Sequence, residues 1–135
     1  MIPDFTDDGY LPPGVYLATL AEIEGRFGRE SEIRQAQLES IQWLVELARR
    51  AGIQRIVLNG SFVTDIIEPN DVDCVLLYLG QPKDRNALRE LQTGLPFMDI
   101  AIVRSLKRFD EYISRIFGID RFRTPRGIIE VIEWI

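Results

Sequence analysis

Three aspartates and a glycine-serine pair are the residues of this chain whose types and spacing could do chemistry. Asp71 and Asp73 stand at the head of the apolar run 74–77, and Gly60-Ser61 follows the apolar run 56–58. Residues two apart in a strand share a face, so both carboxylates are predicted to converge on one cation. Glycine at a strand end lets the backbone approach a ligand closely. Such a metal and phosphate site points to phosphoryl or nucleotidyl transfer.

Asp99 is the second informative acidic position. It stands within the apolar run 97–103, where a charge is costly unless a cation or hydrogen-bond donors compensate it. Three carboxylates suit two-metal nucleotidyl transfer, in which two divalent ions about 3.5 to 4 Å apart share oxygen ligands. Two Mg²⁺ ions are expected because every ligand is an oxygen. Asp99 alone has two other interpretations: an exposed residue on an edge strand, or the partner of a buried Arg55 or Arg104.

Composition narrows the chemistry further. The chain has no histidine and a single cysteine, which excludes histidine general bases, histidine-containing zinc sites, Ser-His-Asp catalysis and internal disulfides. Cys74 lies in an apolar run and is expected to be buried and inert. The length of 135 residues predicts one domain, 1–135. With no signal-peptide pattern and no long apolar run, we expect a cytoplasmic protein without a membrane span.

The charge is unevenly distributed along the chain. The net charge of −5 opposes binding to nucleic acid, so nucleic acid is not an expected partner. Residues 80–135 nevertheless carry 10 basic and 8 acidic side chains. Lysines and arginines there are either phosphate contacts or ordinary solvated charges. These candidates are Lys83, Arg104, Lys107, Arg121, Arg123 and Arg126.

Caps and turns predict a mixed order of helices and strands. Prolines and aromatics in residues 1–17 indicate an extended N-terminal arm docked on the domain or on a partner. Helices are predicted from the capping box at Thr19 to Gly28, from Ser31 to Ala51, from Asp84 through Leu91, and from Ser105 to Gly118. Strands are predicted at 54–59, after Pro69-Asn70, and at 97–103. The last apolar run, 128–135, is either a strand or a helical turn.

The order of these motifs resembles the DNA polymerase beta type nucleotidyltransferase superfamily. An apolar strand, Gly60-Ser61, nine residues, Asp71-Val72-Asp73 and a later acid at Asp99 are similar to its signature over roughly residues 31–104. The resemblance implies an α/β (α+β) nucleotidyltransferase fold, a small mixed β-sheet flanked by helices. It also implies that Asp71 and Asp73 bind both metal ions, that Asp99 completes the catalytic metal site, and that Gly60 and Ser61 bind the triphosphate.

The small size makes the chain most similar to the minimal nucleotidyltransferases, which include antitoxins that AMPylate a partner toxin. The expected function is transfer of a nucleoside monophosphate, with ATP as the expected donor, to a hydroxyl of a protein or small molecule. The superfamily often has an arginine after the glycine-serine pair, where this chain reads Phe62-Val63-Thr64-Asp65. This difference and the small size leave a catalytically degenerate binding or antitoxin module as one alternative. A nucleic-acid-modifying enzyme is another, and it would need a basic acceptor groove, which the net charge does not favour. The sequence does not define the oligomeric state.

Overall fold

The computed structural model describes residues 1–117, 119 and 123–135. Its elements are β1 Gly14–Ala18, α1 Leu20–Phe27, α2 Glu32–Ala51, β2 Arg55–Asn59, a 3₁₀ turn Ser61–Val63, β3 Val72–Leu77, α3 Arg85–Thr93, β4 Met98–Val103, α4 Leu106–Glu111, a π-helical segment Tyr112–Phe117, and β5 Gly127–Val131. The protein is a mixed α/β structure, as expected. The last four residues of the N-terminal arm predicted over 1–17 belong to the strand β1.

One five-stranded mixed sheet organises the described residues. The strand order is β1-β5-β2-β3-β4, with β1 and β4 at the edges. β1 is parallel to β5 and β3 is parallel to β4, whereas β2 is antiparallel to both of its neighbours. The final apolar run, 128–135, had two interpretations from the sequence, and its first four residues, 128–131, lie in the strand β5.

The helix boundaries follow the caps. Thr19 and Glu22 form the predicted capping box of α1. The side chain of Ser31 accepts a hydrogen bond from the Arg34 amide at the start of α2, which ends at Gly52 in the left-handed conformation. Asp84 and Ser105 cap α3 and α4 in the same way. These side chains satisfy amides that a helix leaves without an internal partner. The predicted end of the last helix, Gly118, lies outside the described residues.

The two faces of the sheet have different cores. One face packs against α1, α2 and α3 and contains Ile56, Leu58, Cys74, Leu76 and Ile129. Cys74 is fully buried, as predicted, and burial raises the pKa of its thiol. The other face carries Val57, Val75, Leu77, Val103 and Ile128, which pack against Phe109 and Phe117. Within the described ranges, no helix is long and apolar enough to cross a membrane.

Candidate functional site

Asp73 and Asp99 lie side by side near the starts of two parallel strands. In the pairing of β3 with β4, Asp73 is the register partner of Asp99. Register partners on adjacent strands project from the same face, and the strands are about 4.8 Å apart. Asp73 is partly buried, whereas Asp99 is exposed on the edge strand β4. The structure therefore brings together two of the three predicted carboxylates, and the interpretation of Asp99 as an exposed edge-strand residue is also correct.

Asp71 has a different position from the one that strand alternation predicts. β3 begins at Val72, so Asp71 precedes the strand, and its side chain is exposed. It lines the same surface depression as Asp73 and Asp99. Among the described residues, no group of three or more aspartate, glutamate, cysteine or histidine side chains has the arrangement of a metal site. The three carboxylates are neighbours, but they do not form a ready-made ligand cage.

Asp73 has the most perturbed electrostatic environment of the three. Burial is the main cause that raises the pKa of its carboxyl group, and the negative charge of Asp99 raises it further. Asp71 contributes in the same direction, whereas the guanidinium of Arg126 lowers the pKa. All three raising causes disfavour an ionised Asp73 carboxylate. A cation at this position would relieve the repulsion between Asp73 and Asp99.

Gly60 makes the space that Asp73 occupies. Its backbone has φ 92° and ψ −171°, a conformation that glycine tolerates and other residues rarely adopt. A Cβ atom built on Gly60 would lie 2.9 Å from Oδ2 of Asp73 and 3.4 Å from its backbone nitrogen. The missing side chain therefore admits a close approach, as the sequence indicates, but the group that approaches is the Asp73 carboxylate.

We expect Gly60→Ala to lower the free energy of unfolding by about 1 to 3 kcal/mol, because it adds backbone strain and a contact with Asp73. Urea unfolding followed by circular dichroism measures this change. Gly25→Ala is the matched control, since Gly25 lies inside α1 and a Cβ there meets no atom within 4 Å. The free energy of unfolding of Gly25→Ala should be higher than that of the wild type by about 0.5 to 1 kcal/mol. Equal responses of both variants would contradict the assigned role of Gly60.

Ser61 is tied to the segment that leads into β3. Its Oγ accepts a hydrogen bond of 2.7 Å from the backbone N–H of Asn70. A serine hydroxyl that accepts one hydrogen bond still has its own proton to donate. Ser61 can therefore donate to a phosphate oxygen while it holds the start of β3 beside β2.

Two buried side chains of α2 hold the same segment, and the sequence analysis did not identify either of them. Arg34, which is 2% exposed, donates hydrogen bonds to the carbonyl oxygens of Phe27, Phe62, Thr64 and Ile66. Gln37 is fully buried, and its Nε2 donates to the carbonyl oxygens of Asn70 at 2.6 Å and Pro69 at 3.4 Å. Both residues belong to the buried stripe of α2. Side chains of the helix α2 therefore bind the backbone of the segment between Ser61 and Asp71.

A cavity of about 270 Å³, here called the aromatic cavity, opens on one side of the carboxylates. It lies between the sheet and the π-helical segment. Asn59 and Arg126 line it, and their Oδ1 and Nε atoms are buried and have no hydrogen-bond partner among the described residues. The guanidinium of Arg126 also lies 5.6 Å from the centroid of the Tyr10 ring, in the N-terminal arm. The residues that line the aromatic cavity include Asn59, Asp73, Asp99, Tyr112, Ile116, Phe117 and Arg126.

A second concavity of about 620 Å³, here called the outer depression, opens on the other side. It shares Asp73 and Asp99 with the aromatic cavity. Gln37 Oε1 is buried at its wall and has no hydrogen-bond partner in the described part of the chain. No lysine or arginine is among the described residues that line it. These are Ile33, Gln37, Pro69, Asn70, Asp71, Asp73, Phe97 and Asp99.

Most of the other basic candidates lie away from the carboxylates and the two concavities. Arg55 forms a two-pronged ion pair with Glu130, at 2.7 and 2.9 Å, and Arg104 lies over the ring of Tyr78. Neither is the partner of Asp99, so that interpretation is wrong. Among the residues that the structure describes, Arg126 is the one basic side chain that lines either concavity. Arg121 lies outside the described residues, and Lys83, Lys107 and Arg123 line neither concavity.

Comparison with known proteins gives a family but no activity. No curated protein and no solved structure has a significant match to the chain. One family model matches residues 3–132, nearly the whole chain, and its description is a family of unknown function, DUF6932. The protein belongs to this family, DUF6932.

Proposed function

We propose that this protein is a small magnesium-dependent nucleotidyltransferase with the fold of the DNA polymerase beta type superfamily. It would transfer a nucleoside monophosphate, with ATP as the donor, to a hydroxyl of a protein or small molecule. The observation that carries the proposal is the register pairing of Asp73 with Asp99, beside the glycine that makes room for Asp73. Two acidic strand ends next to a glycine-serine turn suit metal-assisted phosphoryl chemistry.

The donor set of the site fits magnesium. Asp71, Asp73 and Asp99 supply only oxygen ligands, which Mg²⁺ prefers, and water molecules normally complete its coordination. Burial desolvates the Asp73 carboxylate and Asp99 repels it, and both effects make this position favourable for a cation. When bound, the metal supplies charge stabilisation to the reacting phosphate. Asp73 and Asp99 would be its main ligands, with Asp71 adjacent.

Charge favours the aromatic cavity as the nucleotide site, although Gly60 and Ser61 are not among the described residues that line it. A triphosphate is anionic, and Arg126 lines this cavity with a buried Nε that lacks a partner among the described residues. Arginine matches phosphate oxygens with paired N–H groups. The rings of Tyr112 and Phe117 provide apolar surface for a base, and Asn59 Oδ1 can accept a hydrogen bond from it. The volume of about 270 Å³ lies just below the usual range of small-molecule sites, about 300 to 1,000 Å³, so the cavity would enclose only part of a nucleotide.

The polar groups of the outer depression make it the more suitable place for the acceptor. Its polar groups, the carboxylates and Gln37 Oε1, are hydrogen-bond acceptors, so they favour a ligand rich in donors. In the transfer step the acceptor hydroxyl oxygen forms a bond to the α-phosphorus, and the bond from this phosphorus to the bridging oxygen breaks. Pyrophosphate leaves, and Asp99 receives the hydroxyl proton.

Calorimetry with MgATP, together with pyrophosphate release in the presence of candidate acceptors, tests the proposal. We expect MgATP binding that requires the metal, and Arg126→Gln should weaken it by about tenfold because a charge-assisted hydrogen bond is lost. Arg89→Gln is the control, since Arg89 is exposed on α3 and lines neither concavity. Equal affinities of the two variants would reject the placement of the triphosphate.

A second candidate is a catalytically degenerate module that binds a protein, such as the toxin of a toxin-antitoxin pair. The exposure of Asp99 and the lack of a ligand cage among the described residues favour it. The same calorimetry separates the two candidates. Absence of any MgATP heat at millimolar protein and ligand, in a folded sample, would favour the binding module and reject the enzyme.

A further inference from the structure

A third cavity, of about 310 Å³, lies on the opposite face of β4 from Asp99. We call it the Tyr78 cavity. Its apolar wall consists of Leu88 and Leu91 from α3 and of Ile100 and Ile102 from β4. Even-numbered residues of β4 face α3, whereas Asp99 faces the other side, because side chains alternate along a strand. The Tyr78 cavity is therefore separated from the carboxylates by the sheet itself.

Two polar groups converge on this apolar wall. Tyr78 is 1% exposed, and its hydroxyl is buried without a hydrogen-bond partner in the described ranges. The guanidinium of Arg104 lies 4.8 Å from the centroid of the Tyr78 ring, and Arg104 has no carboxylate partner among the described residues. Gln92 contributes a neutral amide, and none of the described residues that line the cavity is acidic. A buried hydroxyl without a partner is unfavourable, so its presence beside an unpaired cation calls for a ligand oxygen.

Position along the strands also separates the Tyr78 cavity from the proposed active site. Asp73 and Asp99 lie near the N-terminal ends of β3 and β4, whereas Tyr78 and Arg104 directly follow the C-terminal ends of these strands. Five strand residues span roughly 16 Å. A ligand in the Tyr78 cavity would not reach the carboxylates.

We propose that the Tyr78 cavity binds a small amphipathic carboxylate. The carboxylate accepts hydrogen bonds from the Tyr78 hydroxyl and from the guanidinium of Arg104, and the apolar body of the ligand covers the leucine and isoleucine wall. A negatively charged ligand is favoured, because the one ionised side chain among the described residues that line the cavity is an arginine. The volume decides its size, since about 310 Å³ lies at the lower end for small-molecule sites.

Hexanoate is the test ligand, with hexanol as the matched neutral probe and butyrate as the shorter acid. Titrations of the full chain, followed by amide chemical shifts of ¹⁵N-labelled protein, should show saturable binding of hexanoate, weaker binding of butyrate and little binding of hexanol. Arg104→Gln should weaken hexanoate binding by about 10- to 30-fold, because a hydrogen bond to a charged group is lost. Tyr78→Phe should weaken it by about fivefold.

Two controls keep the outcome interpretable. Arg108→Gln removes another exposed arginine that lies over a tyrosine ring, at 5.0 Å from the Tyr112 centroid, and should leave hexanoate binding unchanged. Tyr78→Phe without ligand should melt no lower than wild type, because it removes a buried hydroxyl that lacks a partner. Equal affinities for hexanoate and hexanol, or hexanoate binding that neither Arg104→Gln nor Tyr78→Phe weakens, would overturn the proposal. So would shifts confined to the edge amides of β4, which would indicate an added peptide strand instead.

Discussion

Replacing Arg34 by methionine is expected to lower the free energy of unfolding by about 3 to 5 kcal/mol. All five N–H groups of its guanidinium donate hydrogen bonds to backbone carbonyl oxygens. Four of these bonds reach residues 62, 64 and 66, and one reaches Phe27 at the end of α1. Methionine fills a similar volume but leaves these carbonyls without their donor in a buried place, where each loss is costly.

The expected response of a lysine at this position sharpens the prediction. Arg34→Lys keeps the charge, but an ammonium has three donors and no planar fork, so it can serve only part of the carbonyl set. We expect the free energy of unfolding of Arg34→Lys to lie between those of the wild type and Arg34→Met. Burial lowers the pKa of Arg34, while Glu30 and Asp65 act in the opposite direction. An arginine guanidinium is not deprotonated in proteins, so the comparison with lysine is between two charged groups.

Urea unfolding of three variants measures these effects. Arg29→Met is the matched control, because the Arg29 side chain is 71% exposed and its contact with Glu24 is a surface ion pair at 3.4 Å. Loss of this ion pair should lower the free energy of unfolding by less than about 1 kcal/mol. If Arg34→Met were no more destabilising than Arg29→Met, the hydrogen bonds of Arg34 would not be what holds the segment from Ser61 to Asp71.

Local signals predicted most of the elements correctly. A cap acts through the few residues beside it, so Thr19, Ser31, Asp84 and Ser105 mark the helix starts without knowledge of the fold. Gly52 marks the end of α2 for an equally local reason, its left-handed backbone. The pairing of Asp73 with Asp99 depends on which strands become neighbours. Sequence order alone does not define that arrangement.

Arg34 and Gln37 show what the sequence reading missed. They continue the stripe of Ile41, Leu44 and Ala48 toward the start of α2, at spacings of three and four residues. Helical periodicity therefore places them on the buried face, although their polarity suggests a surface. Only the loop that they bind explains why polar groups are stable there. A polar residue in register with an apolar stripe is the signal that could have identified them.

The start of β3 shows the limit of strand alternation. The pattern assumes that Asp71 already lies in the strand, but Pro69-Asn70 and the hydrogen bond from the Asn70 amide to Ser61 fix the chain in another direction. Pairing with β4 begins at Val72 and Met98. The two carboxylates that share a face are therefore Asp73 and Asp99, which come from different strands, and Asp71 joins them from a loop.

An ionised Asp73 destabilises the folded protein, and its proposed role in binding a cation explains why it is present. Burial and the charge of Asp99 both raise the pKa of its carboxyl group, so an ionised Asp73 works against folding. Gly60 nevertheless has an unusual backbone conformation that accommodates this carboxylate. Functional sites commonly keep such unfavourable groups, because the same charge that opposes folding binds a cation or substrate.

The Asp73→Asn variant separates these two effects. Under the proposed function it should lower the rate of nucleotidyl transfer by about 10³-fold, because the amide removes a metal-binding charge. Its free energy of unfolding should be unchanged or higher by up to about 1 kcal/mol, since the repulsion from Asp99 disappears while the shape beside Gly60 is kept. Asp4→Asn, at an exposed position of the N-terminal arm, is the control and should change neither quantity. Pyrophosphate release and urea unfolding on the same preparations measure both. Loss of stability together with activity would mean that Asp73 is a structural residue, and transfer at the wild-type rate would reject it as a catalytic one.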